Sequence, residues 1–359
     1  MNTIGTRFQV TLFGASHDTC IGCVIDGIPA GIEIDLEYIQ KEVDSRKPVA
    51  LIGTPRKEED KVEIVAGLKN DITTGTPLVI QIKNSNTDSS KYEKFKVVPR
   101  PGHADFPAFE KYGPAHDIRG GGQFSGRMTA PLTAAGAVAK EMLLGIDVKI
   151  AAYTQSIGSI HDVSEHSFKE IKRETKENPV HAADSEIALD MLNEILIAKE
   201  DGDSVGGTIR CLTEGLPIGV GEPFFDTLDG EIAKMMFAIP GVKGIEFGAG
   251  FRAAEMKGSI HNDPYVIVDE YQIKTDTNNA GGVLGGLSNG MPLDFRVAFK
   301  PTASIFKEQK SVNLGKMEEE TLLIEGRHDP CIVPRAVTPI EATTAIVLTD
   351  LCLRGDFIA

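Results

Sequence analysis

The stretch GASHDTCIGCVIDGIPAG at residues 14–31 recurs without a gap as GDSVGGTIRCLTEGLPIG at residues 202–219. Seven positions are identical in the two copies, and in the first copy they are Gly14, Ser16, Ile21, Cys23, Gly27, Pro29 and Gly31. The shared glycines and proline indicate the same turn after the same strand, because glycine tolerates backbone angles that other residues avoid. A repeat of this length predicts two structurally similar halves.

The similarity between the halves continues beyond this stretch. Gly75-Thr76-Pro77-Leu78 recurs as Gly290-Met291-Pro292-Leu293 before a strand, and the helix expected after Pro131 has a counterpart after Pro339. Chance matching of glycine and proline is the alternative explanation. We predict one pseudo-symmetric α+β domain over residues 1–359, with halves at about 8–145 and 196–352, rather than two separately folding domains.

Local patterns predict several elements of the first half. Residues 8–13 alternate as a half-buried strand does, and Asp35 is placed to cap a helix that stops before Pro48. Two further strands and an alanine-rich, buried helix are predicted at Val62–Ala66, Leu78–Ile82 and Thr129–Leu144. The charged segment His161–Asp184 carries no motif, and we predict that it is a solvated surface insertion.

Composition excludes several classes of protein. The 359 residues carry a formal charge of −15, so the basic face that a nucleic-acid partner requires is not expected. The sequence contains no apolar run near the roughly 20 residues of a membrane span, and MNTIGTRFQV lacks the apolar core of a signal peptide. Five cysteines in a long chain argue against a disulfide framework. We therefore predict a cytoplasmic protein without a membrane or nucleic-acid partner.

Cys20 and Cys23 form a CxxC pair. A redox or zinc site would need a helix N-terminus or a second pair at metal spacing, and the sequence offers neither. We interpret the pair as two half-buried thiols on a strand and expect no metal.

Three polar clusters lie in loops rich in glycine and proline. They are Gly14–Asp18, then Arg100–Asp105 together with Asp117–Gly122, and finally Gly326–Pro330. Each cluster carries histidine, arginine or aspartate, and histidine in a loop can act as an acid or a base near neutral pH. Arginine binds carboxylates and phosphates through two parallel hydrogen bonds. If the clusters converge, they indicate a small polyanionic ligand; the alternative is scattered salt bridges.

Two glycine-rich motifs suggest other chemistry. Gly202–Gly207 is similar to the Gly-Asp-Ser-Gly-Gly of trypsin-like proteases, but Val205 interrupts it, so a hydrolase with Ser204 as nucleophile is a weak alternative. Gly281–Gly286 fits neither a P-loop nor a dinucleotide fingerprint. It could nevertheless hold a phosphate or lie under a planar ring.

The ordered set of motifs resembles the chorismate synthase family. The motifs are TIGTRFQVTLFGASH near the start, RPGHAD with His103, DIRGGG with Arg119, NNAGGVLGGLSNG, KPTAS with Lys300, and GRHDPCIVPRA. The resemblance runs from about residue 3 to residue 355. It implies an α+β sandwich with internal pseudo-symmetry, a homotetramer, and a lyase of the shikimate pathway for aromatic amino acids.

The resemblance implies a specific reaction. The family removes phosphate from 5-enolpyruvylshikimate 3-phosphate by 1,4-anti elimination and forms chorismate. The reaction requires reduced FMN without a net redox change, and some members reduce the flavin with NADPH while others depend on an external flavin reductase. In such enzymes the protein supplies binding, orientation and electrostatics.

The resemblance also implies roles for individual residues. His17 would assist the departing phosphate, His103 would protonate or stabilise reduced flavin, and Asp329 would help to deprotonate flavin N5. Substrate anions would be bound by Arg46, Arg100, Arg127 and Arg327, with Arg46 also contacting NADP if it is used. Flavin contacts would come from Gln123, Phe124, Ser125, Pro240, Gly241, Gly285, Lys300, Pro301, Thr302, Ala303, Ser304 and Arg327.

The chain departs from the family pattern in three places. The usual Gly-Glu-Ser-His-Gly carries Ala15 and Asp18 instead, and the usual Arg-Ser-Ser is Gln123-Phe124-Ser125. Ile52 stands where an arginine is usual, although Arg56 could substitute for it. These departures leave open an alternative, a flavin- or anion-binding homologue with impaired catalysis.

Overall fold

The computed structural model describes residues 1–49, 51–53, 59–85, 89, 92–269, 272–326 and 328–358. The helices are α1 Leu36–Ser45, α2 Asp105–Tyr112, α3 Thr129–Leu144, α4 Phe168–Glu174, α5 Ser185–Glu200, α6 Leu228–Met236, α7 Gly258–His261 and α8 Val333–Arg354. Short 3₁₀ turns occur at Glu93–Lys96, Gly113–Ala115, Arg119–Phe124, Gly126–Met128 and Gly250–Glu255.

Within the described part of the chain, the strands form two five-stranded antiparallel sheets and four small hairpins. The strands of the first half are β1 Thr3–Ile4, β2 Gln9–Gly14, β3 Cys20–Asp26, β4 Val62–Ala66, β5 Leu68–Lys69, β6 Ile72–Thr73 and β7 Leu78–Lys83. The remaining strands are β8 Lys149–Ile157, β9 Ile160–His161, β10 Gly207–Glu214, β11 Val242–Phe247, β12 Tyr265–Asp269, β13 Gln272–Thr275, β14 Val283–Leu284, β15 Leu287–Ser288, β16 Leu293–Phe299, β17 Gln309–Asn313 and β18 Glu318–Leu322. This mixture of helices and antiparallel sheets confirms the predicted α+β class.

The two large sheets have matching strand orders. The first is β1-β2-β3-β7-β4, and the second is β9-β8-β10-β16-β11 when read in the same direction. The strands with repeated sequence, β3 and β10, occupy the centre of each sheet, and β7 and β16 lie beside them. This agreement supports our proposal of a single domain built from two pseudo-symmetric halves.

Helices α3 and α8 pack against each other between the two sheets. Fourteen of the 16 residues of α3 are buried, and small side chains let the helices approach closely. A Cβ added to Gly136 would lie 2.4 Å from the Cα and Cβ of Ala342. A second contact lies further along both helices, where Thr349 Oγ1 donates to the carbonyl of Ala139. The order of the two contacts is the same in both helices, so the helices run in the same direction. Their N-termini therefore open at the same end of the domain.

Most of the predicted local elements are confirmed. The Asp35 side chain accepts a hydrogen bond from the backbone N–H of Tyr38 at the start of α1. The predicted helix at Thr129–Leu144 is α3, and the strands expected at 62–66 and 78–82 are β4 and β7.

Two expectations require correction. The helix expected after Pro339 begins six residues earlier at Val333, because Pro334 in the first turn suits a helix start and α8 continues through Pro339. The segment His161–Asp184 is not simply solvated. It contains α4, and Ile171, Val180 and Ala182 are buried, so a few apolar side chains anchor a segment whose other residues are charged.

Helix α8 is long and apolar enough to cross a membrane by length and composition, the one such helix among the described residues. However, 89% of its apolar window is buried inside the domain. We therefore interpret α8 as a core helix.

The close contact of α3 with α8 predicts opposite effects for two glycine substitutions. Gly136→Ala forces a Cβ against the α8 backbone and should destabilise the fold by about 1–3 kcal/mol. In the matched variant Gly258→Ala, the new Cβ in α7 meets no atom within 4 Å, and helix propensity predicts a gain of up to about 1 kcal/mol. Urea unfolding of both variants measures the difference. Equal stability of the two would contradict this account of the core.

Candidate active site

A cavity of about 340 Å³ lies at the end of the domain where α3 and α8 begin. Its lining comes from both halves of the chain: Arg46, Lys47, Pro48, Asp60, Tyr92, Arg100, His103, Gly120, Phe124, Ser125, Gly126, Arg127, Thr129, Ile239, Pro240, Gly241, Lys300, Pro301, Thr302, Ala303, Ser304, His328, Asp329, Ile332, Arg335, Ala336 and Pro339. Such a volume is within the usual range for small-molecule sites.

Asp60 joins two arginines at one wall of the cavity. Arg46, at the C-terminal end of α1, donates to one carboxylate oxygen at 3.0 Å, and Arg127 donates to the other. All three side chains are buried. Burial alone would raise the pKa of Asp60, but the two guanidinium groups hold it below its usual value. Burial and the nearby Arg335 lower the pKa of Arg46 to about 10, so it remains cationic at neutral pH.

Asp105 fixes a second pair of cavity residues. It accepts from Arg100 Nε at 2.7 Å and from Arg100 Nη2 at 2.8 Å, and it lies 2.6 Å from His103 Nδ1. The pKa of Asp105 is well below its usual range, since these hydrogen bonds outweigh the effect of burial. An ionised carboxylate at this distance requires a proton on Nδ1. The other ring nitrogen of His103, Nε2, is therefore the atom available to a ligand.

Burial lowers the pKa of His103, although the hydrogen bond to Asp105 opposes this effect. His103 is therefore held mainly neutral near pH 7. Its Nε2 lies beside Gly121, where an added Cβ would approach to 3.7 Å. Glycine at this position leaves the ring edge accessible.

Asp329 also lines the cavity and pairs with Arg335, whose Nη1 is 2.5 Å from its carboxylate. Arg335 lies in the first turn of α8. The α8 N-terminus thus brings a carboxylate and an arginine to the cavity together.

His17 lies directly behind the cavity wall rather than among its lining residues. Its Nδ1 is 2.8 Å from Ser89 Oγ, and its ring meets the Tyr92 ring edge-on at 5.4 Å. Gly120 separates the imidazole from the cavity, and a Cβ at Gly120 would lie 2.5 Å from His17 Nε2. The positive φ of 60° at Gly120 also favours glycine. The absence of a side chain at Gly120 leaves His17 Nε2 next to the cavity.

The electrostatics of the cavity favour anions. Six cationic side chains line it, against the carboxylates of Asp60 and Asp329: Arg46, Lys47, Arg100, Arg127, Lys300 and Arg335. The N-termini of α3 and α8 add their partial positive charge. This concentration occurs in a chain with a formal charge of −15.

Three buried polar atoms in the cavity lining lack a hydrogen bond within the described part of the chain. Arg46 Nε, Arg335 Nε and Thr302 Oγ1 are buried and have no hydrogen-bond partner among the described residues. Buried donors are normally satisfied, so these atoms mark positions for ligand atoms. The charge and the unpaired donors fit phosphate and carboxylate groups, while Phe124, Ile239 and Ile332 offer apolar surface.

Comparisons with known proteins agree with this geometry. The sequence profile of chorismate synthase matches residues 8–353. The chain is 50% identical over 358 residues to chorismate synthase from Dehalococcoides mccartyi, covering 99% of this chain and 98% of the relative. It is 48% identical to the enzyme from Methanococcoides burtonii, covering 99% and 97% respectively. A crystal structure of chorismate synthase superposes with a TM-score of 0.78 at 26% identity, covering 98% of this chain and 93% of that one.

The chain belongs to the chorismate synthase family. It is a carbon–oxygen lyase of the shikimate pathway, and its reaction is the family's elimination of phosphate from 5-enolpyruvylshikimate 3-phosphate to give chorismate. The family prediction made from the motifs is thus confirmed.

The cavity collects most of the site residues that the chorismate synthase resemblance implies. His103, Asp329, Arg46, Arg100, Arg127, Phe124, Ser125, Pro240, Gly241 and Lys300–Ser304 all line it. Two predicted flavin contacts do not line it: Gln123 is exposed, and Gly285 lies in the exposed turn between β14 and β15. Arg327 lies outside the described residues. The roles of all these residues remain predictions.

The departures from the family pattern have simple structural settings. Ile52 is 3% exposed and packs in the hydrophobic core, and Arg56 lies outside the described residues. Ala15 and Asp18 lie in the His17 loop, where their carbonyls accept from the Asn84 side chain at 3.1 and 2.7 Å. These contacts use only backbone atoms of the two residues, so they tolerate the altered side chains.

Sequence reasoning missed four charged residues of the site, and one of them, Lys47, directly follows the predicted Arg46. Asp105 and Arg335 lie within motifs that carried the resemblance, RPGHAD and GRHDPCIVPRA, and their positions beside His103 and Asp329 were a usable signal. Asp60 had no such signal, because it lies in the charged run Glu58–Lys61, which is typical of exposed surface.

The protease-like motif at Ser204 and the CxxC pair at Cys20 and Cys23 both have structural explanations. Ser204 Oγ donates to the carbonyl of Thr302 at 2.7 Å, and among the described residues it makes no hydrogen bond to a histidine. Cys20 is half-buried on β3, and Cys23 is fully buried there with a pKa raised by burial to about 12. All five cysteines are free thiols.

Asp105 is expected to control the protonation of His103. Asp105→Asn removes the interactions that raise the histidine pKa, so burial should lower that pKa further. NMR titration of His103 measures the change. Asp162→Asn alters an unrelated pair, in which Asp162 lies 2.7 Å from His166, and should leave His103 unchanged. An unaltered or higher His103 pKa in Asp105→Asn would contradict the assignment.

The lowered pKa of His103 also has a consequence for stability. Unfolding restores an ordinary histidine pKa of about 6.5, so the unfolded chain binds a proton more readily than the folded one. His103 therefore contributes to the free energy of unfolding above about pH 6.5, and this contribution is lost as the pH falls through the lowered pKa of the folded state.

Proposed function

We propose that the cavity binds reduced FMN together with 5-enolpyruvylshikimate 3-phosphate, and that His17, His103 and Asp329 carry out the proton transfers. The residues fit a flavin and a phosphorylated acid. The unpaired Thr302 Oγ1, the Lys300 side chain and the arginines line the cavity, and Phe124, Ile239 and Ile332 add apolar surface. When bound, reduced FMN would supply an electron-rich ring that lends charge while the phosphate leaves.

The arginines bind and orient the substrate. Asp60 holds Arg46 and Arg127 side by side, so that two guanidinium charges attract anionic oxygens to the same part of the cavity. Arg335 contributes the unpaired Nε beside Asp329. Bidentate or paired guanidinium contacts give both affinity and geometry for phosphate and carboxylate.

His17 is placed to donate a proton or hydrogen bond to the departing phosphate. Its Nδ1 lies 2.8 Å from Ser89 Oγ, and its Nε2 lies beside Gly120, which lines the cavity. A leaving phosphate gains negative charge as its bond breaks, and a donor that meets this charge lowers the barrier.

His103 and Asp329 serve as the other proton-handling groups. His103 holds a proton on Nδ1 against Asp105 and presents Nε2 to the cavity. Asp329 presents a carboxylate that Arg335 orients, and this carboxylate serves as the proton acceptor.

The observation that carries this proposal is the meeting of His103, Asp329 and six cationic side chains in one cavity. The test is an anaerobic assay with chemically reduced FMN, run with and without NADPH. Chorismate formed with reduced FMN supports the proposal, and formation from oxidised FMN with NADPH alone would indicate that the chain reduces its own flavin. A fully reduced, FMN-loaded sample that yields no chorismate would favour the alternative of a binding homologue with impaired catalysis.

Asp329→Asn should separate binding from turnover. The variant keeps size and polarity but loses the proton acceptor, so FMN and substrate affinity should persist while kcat falls by about 10²–10⁴. Asp226→Asn is the control, because Asp226 also pairs with an arginine, Arg354 at 2.8 Å, but does not line the cavity. Near-normal kcat in Asp329→Asn would remove this residue from the mechanism.

We also propose that the chain works as a cytoplasmic homotetramer. Large apolar side chains are exposed on the single chain in two areas: Ile218, Phe224, Phe225 and Leu284, and, on the β12–β13 hairpin, Tyr265, Ile267 and Ile273. Exposed apolar area of this kind is typical of subunit interfaces. The exposed turn at Gly285 adjoins Leu284, which would explain why this predicted flavin contact is separate from the chain's own cavity.

A charged residue in one apolar area should weaken assembly. Light scattering of the wild type should give about four times the chain mass of 38.6 kDa. Phe225→Glu, at a side chain that is 93% exposed in the single chain, should shift the mass downwards because a buried charge opposes association. The control is Val163→Glu, at an isolated side chain that is 87% exposed. A wild-type monomer, or equal masses for both variants, would contradict this interface.

A further inference from the structure

The loop 202–206 is the second-half counterpart of the loop that carries His17. The repeat aligns Ser204 with Ser16 and Val205 with His17. Both loops use a backbone N–H to hold the segment that precedes a central helix. Ser16 N donates to the Gly122 carbonyl at 3.3 Å, and Val205 N donates to the Pro330 carbonyl at 2.9 Å. The second loop therefore supports the Asp329 segment but brings no titratable group at the histidine position.

The same loop is also bonded to the segment that carries Thr302, which lines the cavity. Ser204 Oγ donates to the Thr302 carbonyl at 2.7 Å. Next to this bond, Phe306 N donates to the Gly202 carbonyl at 2.8 Å, and Lys307 pairs with Asp203 at 2.9 Å. The loop thus connects residues 300–307 with residues 328–330.

We propose that Ser204 is a positioning residue that fixes Thr302 for ligand binding. Thr302 lines the cavity, while Ser204 does not. The Oγ1 of Thr302 is buried and has no hydrogen-bond partner among the described residues, so no hydrogen bond of its own side chain fixes its direction. The direction then depends on the position of the Thr302 backbone, whose carbonyl Ser204 holds.

This inference rests on the proposed role of the cavity in binding FMN. The two loops make these backbone contacts at adjacent positions of the repeat, and only the first loop carries a histidine. Ser204, the residue that resembled a protease nucleophile, thereby receives a structural explanation within the lyase. The contact predicts that the Ser204 hydroxyl affects ligand affinity more than stability.

The test compares Ser204→Ala with Ser204→Thr and with Ser156→Ala. Ser204→Thr keeps the hydroxyl donor. Ser156 is a buried serine that bonds Thr208 at 2.7 Å and does not line the cavity. The measurements are the dissociation constant of FMN, hydrogen–deuterium exchange of residues 300–307 without ligand, and the melting temperature.

Ser204→Ala should weaken FMN binding about three- to tenfold, as expected for one lost hydrogen bond, and should speed exchange in 300–307. Ser204→Thr should restore both, and Ser156→Ala should lower the melting temperature without changing either. Unchanged exchange and FMN affinity in Ser204→Ala would overturn the assignment of Ser204. Wild-type protein that binds no FMN would instead contradict the proposed function, while the exchange data would still test the contact with Thr302.

Discussion

The buried carboxylate of Asp60 allows two arginines to lie side by side in a site that must bind anions. Arg46 and Arg127 would repel each other without it, and both are buried. Asp105 pairs in a similar way with Arg100, and Asp329 pairs with Arg335. Each pairing keeps a guanidinium charged and oriented, since an unpaired buried charge is costly. An acidic chain can thus hold a locally cationic cavity because each arginine of the described lining pairs with a carboxylate, and Arg46 and Arg127 share one.

The fold brings these pairs together through its two similar halves. The N-termini of α3 and α8 open at the same end, and the loops that precede them carry Gly120–Arg127 and His328–Asp329. The first half contributes His17, His103 and three arginines, while the second contributes His328, Asp329, Arg335 and the wall at 300–304. A duplicated scaffold therefore supports a site whose two sides differ in chemistry.

The sequence predicted the α+β class, the family and most of the cavity lining, because these depend on local motifs and on repeated turns. Sequence reasoning missed Asp60, whose charged neighbours suggest a surface, and it judged His161–Asp184 too polar to pack. The buried apolar residues of His161–Asp184, such as Ile171, are few and are separated by charged residues. Gly285 illustrates a third limit. A motif can predict a flavin contact, but the position of that residue relative to the cavity depends on the tertiary structure and on the assembly of subunits.

The central claim is that one cavity receives both the flavin and the phosphorylated substrate between His103, Asp329 and the arginines. A crystal structure of the protein with FMN and 5-enolpyruvylshikimate 3-phosphate tests it most directly. The account predicts both molecules in this cavity, with anionic oxygens within about 3.2 Å of guanidinium nitrogens and His17 Nε2 facing the substrate phosphate. Either molecule bound on a surface remote from His103 and Asp329 would contradict it.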